Sequence, residues 1–297
     1  MQINHVGAAN LSVDQMSSYL LRSADITVLI GPDSLDVLHS VTTQAVSEIP
    51  DNSCVYASIL SSNGRMIDRI LIWNLVDQIA LIHLDGCAEP TRNVLSKSVS
   101  WKQDVKIIPL DSGFLSLWEY NVTPSEELFS VYVDGRIHSC GLKNSIKVHL
   151  GPRDDITELV SILSRDGASE MDDYGTRLYN IMNGMIDGNI VRNFSPIPLE
   201  VSLEDDISFT KGCYTGQEII ARLDARGSLS RTLVSFESDG ELNSGRHKII
   251  GGGKLVVYDS INSDEKWVNI GLIHPDLSEP GNEFLLDGIN CKIFTNW

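Results

Sequence analysis

The run KGCYTGQEIIAR, Lys211 to Arg222, sets a thiol between a lysine and a tyrosine and brackets it with two glycines. Thr215 followed by Glu218 has the spacing of a capping box. Ile219, Ile220 and Leu223 share one helical face, and Gly227 can close a helix in the left-handed conformation. The pattern predicts a helix from about Gly216 to Arg226. Cys213 then stands just ahead of the helix N-terminus, where backbone N–H groups point outward and the dipole is positive. Lys211 is two residues away, and Arg222 can fold back toward the same end. Each of these favours thiolate over thiol. Gly212 and Gly216 allow the backbone to come close to a ligand. The arrangement suits a nucleophilic or metal-binding sulfur, or an anion pocket with the thiol beside it. A cysteine that merely packs beneath a turn would have the same local sequence.

Other chemistry-bearing residues offer less. The five cysteines, Cys54, Cys87, Cys140, Cys213 and Cys291, are dispersed singly, with no paired spacing for structural zinc. An odd, scattered set fits a reducing cytoplasm, with four of them acting as small buried hydrophobes. None of the seven histidines stands in a ligand spacing, and His274 before Pro275 belongs to a turn. The acid pairs Asp154-Asp155, Asp172-Asp173 and Asp205-Asp206 fall near helix starts or loops, where dipole complementarity and solvation account for them. GGGK near residue 253 lacks the spacing and the Ser or Thr of a phosphate loop and reads as a β-turn. A net charge of −17 disfavours extended nucleic-acid contact. No apolar run approaches the roughly 20 residues of a membrane span. The N-terminal stretch has neither the basic start nor the apolar core of a secretion signal.

The elements that must position these residues are readable from period and turn chemistry. A chain of 297 residues suggests two domains. CVYASILSSNGRMIDRILIWNL places Asn63-Gly64 between two β-branched runs, the signal of a hairpin with a primed turn, and QIALIHL extends it to a meander. FSVYVDGRIHSCG repeats the device at Asp134-Gly135. ITVLIGPDSLDVLHSV (26–41) and IKVHLGPRDDITELVSIL (146–163) are each a strand, Gly-Pro and a helix, which suggests a duplicated α+β unit. Pro32 and Pro152 suit first helical turns. After Gly227 only short strands and turn signals appear, the reading of a small β-barrel. The expected organisation is α+β: residues 1–227 as two interleaved subdomains, and 228–297 as the barrel.

IPLEVSLEDDISFTKGCYTGQEIIARLDARG, Ile197 to Gly227, closely resembles the signature of the YgfZ family of folate-binding proteins. That family includes iron–sulfur cluster assembly factors and is related to the glycine-cleavage T-protein, an aminomethyltransferase. VLIGPDSLDVLHSVTTQAV and SSNGRMID resemble two further family segments. The resemblance implies an α+β region and a barrel around a central opening that holds tetrahydrofolate or a derivative. It implies Cys213 as the working sulfur with Lys211 keeping it ionised. For the folate cavity it implies Tyr179, five residues before Gly184, together with Asp68, Glu200, Gly212, Tyr214, Gly216, Gln217, Glu218 and Arg222. A core role for Tyr179 on its helix is the alternative. The chain departs from the T-protein pattern where Asp68 is followed by Arg69 rather than a second aspartate. Met182 replaces an acid, and Ala24 replaces an aromatic. Asp68 would then stand alone, since Arg69 on the same strand points the other way. The implied function is cytoplasmic support of iron–sulfur cluster assembly or repair, and indirectly of tRNA modification. Its partners would be folate and the assembly machinery or client iron–sulfur enzymes, with no direct nucleic acid and no membrane. A tetrahydrofolate-dependent aminomethyltransferase is the rival.

Overall fold

β-Branched runs alternate with Gly, Asn and Asp turns along the chain, and the structure, a computed structural model, describes residues 17–297 apart from 24, 111, 125 and 265. Ala24 and the N-terminal stretch read above lie outside the described residues. In chain order β1 (Ser18–Ser23) and β2 (Ile26–Ile30) precede α1 (Ser34–Val41). β3 (Ser53–Leu60), β4 (Met66–Leu75) and β5 (Gln78–Ile82) lead into α2 (Ala88–Ser98) and β6 (Lys106–Pro109). Then come β7 (Phe114–Tyr120), β8 (Val131–Asp134), β9 (Ile137–Leu142), β10 (Ile146–Pro152) and α3 (Arg153–Arg165). β11 (Ser169–Glu170), α4 (Asp173–Met182) and α5 (Gly188–Phe194) follow. Two 3-10 turns, Pro198–Val201 and Glu204–Asp206, reach α6 (Gln217–Arg226). The remainder is β12 (Thr232–Ser238), β13 (Gly245–Lys248), β14 (Lys254–Ser263), β15 (Lys266–Ile273), β16 (Glu283–Leu286) and β17 (Ile289–Asn296).

These strands make three sheets, ordered β3-β4-β5-β2-β6, β11-β1-β7-β10-β9-β8 and β13-β14-β15-β12-β17-β16. The two Gly-Pro units take equivalent places, β2 and β10 each lying inside a different sheet and feeding α1 and α3. The prolines sit just ahead of the expected first turn: Asp33 is the N-cap of α1, and Pro152 is itself the N-cap of α3. The first two sheets face each other across Cys54, Leu71, Trp73, Trp118, Cys140 and Val148. They are stitched at one edge, where Cys54 N–H donates to the Phe129 carbonyl at 2.8 Å and Val131 N–H to the Asn52 carbonyl at 2.7 Å. The Sγ atoms of Cys54 and Cys140 meet there at 2.9 Å. Four of the five cysteines are buried, as read, and Cys213 is exposed.

The fold is mixed α+β, but the expected barrel is a curled six-stranded sheet. Its edges approach at the single Ile249–Leu286 bridge, because the edge strands β13 and β16 have only four residues each. No α-helix occurs among its described residues, only the 3-10 turn Pro275–Leu277 capped by His274. Gly251–Gly253 form a turn with all three φ positive, in agreement with the reading of GGGK. Val256, Tyr258, Val268 and Ile270 of this sheet share a core with Leu60, Met66, Ile190 and Ile220 of the preceding region. No helix among the described residues is long and apolar enough to cross a membrane.

The Asn63-Gly64 hairpin is not the two-residue primed turn its sequence suggests. Gly64 N–H donates to the Ser61 carbonyl and Ser61 N–H to the Arg65 carbonyl, both at 2.9 Å, which leaves a three-residue loop. Only Gly64, φ +73°, takes the left-handed conformation. The cause is packing against α6: a Cβ on Gly64 would lie 2.8 Å from Cβ of Ile219. Gly64→Ala therefore strains the backbone and collides with a partly buried helix. It is expected to lower the unfolding free energy by about 1–3 kcal/mol, measured by urea denaturation against the parent.

Candidate functional site

β4 reads MIDRILIWNL and is covered on both sides, so its alternating side chains enter two different interiors. Asp68 points toward α2. It is fully buried and accepts from His83 Nδ1 at 2.6 Å, from Thr91 Oγ1 at 2.9 Å and from Leu84 N–H at 3.2 Å. His83 Nε2 in turn meets Thr27 Oγ1 at 2.8 Å. Asp68 thus does not stand alone, as the sequence suggested, but closes a buried hydrogen-bonded chain. Sequence reading missed His83, whose signal was a histidine ending an apolar strand.

Arg69 does point the other way. Its guanidinium makes a bidentate pair with Asp206, at 2.6 and 3.1 Å, and lies 4.0 Å over the ring of Tyr56. Burial works against the charge, but Asp206 outweighs it and holds Arg69 above its ordinary value. Asp206 is therefore not the solvated acid expected of the Asp205-Asp206 pair: its carboxylate is buried and paired. Asp205, which is exposed, pairs with Lys143. The other two acid pairs match the reading. Asp154 and Asp155 fill the first turn of α3, while Asp172 caps α4, whose first turn holds Asp173.

Arg69 and Tyr56 are common walls of two adjoining cavities, of about 260 and 590 Å³. The smaller lies between the first two sheets, with Leu71, Ile82, Trp118 and Tyr120 as apolar walls and the α4–α5 connection, Met185 to Gly188, as one side. The larger is walled by Phe129, Leu142, Gly184 and Trp297. Trp297 lies on Gly184, where a Cβ would come within 2.4 Å of its ring, and its indole N–H donates to Ser235 Oγ at 2.8 Å. The C-terminal sheet reaches the cavity through this residue.

Several expected cavity residues sit elsewhere. Tyr179 is a core residue of α4, its ring 4.7 Å from that of Tyr120, which is itself a cavity wall. Glu200 is buried and takes both nitrogens of a fork from Arg231, at 3.0 and 2.8 Å, fastening the first 3-10 turn to the C-terminal sheet. Asp68, Glu200 and Tyr179 are not among the walls of either lobe.

The thiol loop is a separate place on the surface. α6 runs from Gln217 to Arg226 with Gly227 left-handed at its end, as read. Its N-cap is Gly216, φ +85°, with no side-chain cap, so the Thr215–Glu218 capping box does not form. Glu218 instead pairs with Arg222 at 2.6 Å on the helix surface, and Arg222 does not fold back. Gly216 is needed for contact with the hairpin rather than with a ligand: a Cβ there would lie 2.6 Å from the Ser61 carbonyl. Gly212 has open space around it. Gln217 N–H bonds the Tyr214 carbonyl at 3.2 Å, and the buried Tyr214 anchors the loop, its hydroxyl pushed by burial up to about 12. Cys213 and, four residues earlier, Phe209 face solvent.

Lys211 holds this loop down. Its Nζ donates to the carbonyls of His39 (2.6 Å), Thr42 (2.6 Å) and Gln44 (2.9 Å), at and just beyond the C-terminal end of α1. All three N–H groups are engaged with main-chain carbonyls, so the ammonium serves to anchor the loop. Burial lowers the ammonium from 10.5 to about 8, while three acceptors match the three donors of the protonated form. Thr43 and Gln44 continue the stitching by bonding the carbonyls of Asp206 and Asp205 at 2.6 and 3.0 Å. The chain that carries Cys213 therefore begins at the cavity-wall pair Arg69–Asp206. Lys211→Met takes a donor from three carbonyls, of which that of Gln44 keeps the Val46 N–H at 2.9 Å, and is expected to cost roughly 2–4 kcal/mol. Lys211→Arg recovers little of this, because a planar fork cannot donate to three converging carbonyls. Chemical denaturation of both variants measures the difference.

No protein-family model matches the chain. It is 23% identical over 233 residues to the tRNA-modifying protein YgfZ of Pectobacterium atrosepticum, covering 74% of this chain and 70% of that protein. To the YgfZ of Escherichia coli strain SE11 it is 26% identical over 222 residues, covering 70% and 68%. To the mitochondrial iron–sulfur cluster assembly factor IBA57 homolog of Mycosarcoma maydis it is 23% identical, covering 69% of this chain and 53% of that protein. Its fold matches the crystal structure of the glycine cleavage system aminomethyltransferase T from Bartonella henselae with a TM-score of 0.78. That match covers 94% of this chain and 85% of the other at 13% identity. The resemblance first carried by Lys211 to Glu218 thus extends along most of the chain, which is a homologue of the proteins named YgfZ and IBA57 and folds as the glycine-cleavage T-protein does.

Proposed function

We propose that this protein binds a reduced folate in the two-lobed cavity and supports assembly or repair of iron–sulfur clusters through the thiol of Cys213. The single observation that carries the reading is the pairing of two separate features. One is a T-protein-like fold with a central cavity, and the other is an exposed cysteine on a loop fastened to that cavity's wall through Asp206. The names of the relatives supply the biological direction: cluster assembly for the IBA57 homologues and tRNA modification for YgfZ. The effect on tRNA is indirect, through an iron–sulfur client, because a chain of net charge −17 repels phosphate backbones. A reducing compartment such as the cytoplasm suits a working free thiol.

The cavity's composition suits a folate. Trp118, Tyr120, Tyr56 and Trp297 offer flat apolar surface, and Arg69 offers a fixed cation. Such stacking contacts are worth on the order of 1 kcal/mol each. Within this reading the candidate contacts named from sequence act in two ways. Tyr179 supports the cavity through Tyr120. Gly212, Tyr214, Gly216, Gln217, Glu218 and Arg222 shape the thiol loop rather than touch the folate. The rival aminomethyltransferase reading would need a carboxylate at the reacting centre. Asp68, the one candidate that the resemblance offers, is buried behind His83 and Thr91.

Cys213→Ser is expected to abolish rescue of a strain with failing iron–sulfur enzymes while leaving calorimetric folate binding within about twofold of the parent. Asp68→Asn should release no formaldehyde equivalent from aminomethyl donors, and neither should the parent. A dispensable Cys213 together with measurable aminomethyl transfer by the parent would give the function to the transferase.

A further inference from the structure

The charges around the smaller cavity lobe are almost all satisfied within the protein. Arg22 is bound to Asp85 at 3.1 and 2.6 Å and to the His83 carbonyl at 3.0 Å. Arg69 is held by Asp206. Arg177 is held by Asp259 at 2.9 and 2.7 Å and by the Ser260 carbonyl at 3.0 Å. Arg192 donates to the Asp85 carbonyl. Of the three acids on this wall, Asp85 has Arg22, and Asp173 is an exposed neighbour of Arg177 at 3.9 Å. Asp187 has no counter-charge within 4.0 Å among the described residues.

Asp187 is nonetheless held in one orientation. Its Oδ1 accepts the Ile190 N–H at 2.8 Å, and the carboxylate also takes the Asn189 N–H. An ionised carboxylate accepts about four hydrogen bonds, so acceptor capacity remains on the cavity side. Burial raises this carboxyl above its ordinary value, which means that the ionised form lacks solvation in the absence of a ligand. The same lobe is walled by the flat ring of Trp118 and the aliphatic surface of Leu71, Ile82 and Met185. A slot with apolar faces and one unmatched, oriented carboxylate suits a planar heterocycle that presents two adjacent N–H donors.

We propose that Asp187 is the specificity-determining acceptor of the cavity, its carboxylate receiving the ring N–H and exocyclic amine of a 2-amino-4-oxopyrimidine edge. This rests on the folate reading and adds to it the residue that selects the heterocycle. Asp187 stands on the wall of the smaller lobe, in the turn between α4 and α5.

Calorimetry provides the test, with tetrahydrofolate and its 2-desamino analogue titrated into the parent and into Asp187→Asn. Asparagine caps a helix as well as aspartate does, so α5 keeps its start while the charge is lost. Hydrogen bonds to a charged group predict at least about a tenfold loss of tetrahydrofolate affinity in the variant. In the parent the analogue should bind about tenfold more weakly than tetrahydrofolate, and in the variant the two should be nearly equal. Equal binding of both ligands by the parent overturns the proposal whether or not the variant folds. So does a variant that binds tetrahydrofolate as the parent does. Failure of the parent to bind tetrahydrofolate at millimolar concentration is a different result and removes the folate reading along with this one.

Discussion

Two neighbouring charges on one doubly buried strand constrain the rest of this molecule. Asp68 and Arg69 cannot share a partner, because successive side chains on β4 leave on opposite faces. An unpaired buried charge costs several kcal/mol, so each face must supply its own solution. On one face β2, β5 and α2 bring Thr27, His83 and Thr91 to Asp68. On the other, the chain after α5 must return far enough to lay Asp206 against Arg69. That second requirement fixes the path of the segment leading to Cys213.

The contrast with a T-protein-like site follows from the same alternation. The cavity face of β4 carries a cation with its own carboxylate, whereas an adjacent pair of aspartates would place an acid there. On that face the Asp206 carboxylate offsets the Arg69 charge. Fold similarity at 13% identity is compatible with such a change, because the backbone path is set by the sheets and the chemistry by individual side chains.

Much of this architecture was legible in the sequence. The meander, both Gly-Pro units, α6 with its closing glycine and the helix-poor C-terminal sheet follow from period and turn residues, which are local properties. The failures share a cause. The Asn63-Gly64 turn, the absent Thr215 cap and the role of Gly216 are all decided by the docking of α6 on the hairpin, a contact between segments about 150 residues apart. Likewise nothing local distinguishes Asp206, buried against Arg69, from Asp205, exposed beside Lys143. The thiol motif was conspicuous because its residue types are unusual. The cavity was not, since Tyr56, Trp118, Trp297 and Asp187 come from distant parts of the chain.

Lys211 binds main-chain oxygens, and this bears on how the loop can be inherited. A donor that binds carbonyls does not depend on the side chains those residues carry. His39, Thr42 and Gln44 can therefore diverge while Lys211 meets the same three acceptors, provided that α1 ends at the same turn. The anchorage of the cysteine is stored in the route of the backbone and in one lysine. The surface around the loop can thus change widely while the backbone route and this lysine keep the cysteine in place.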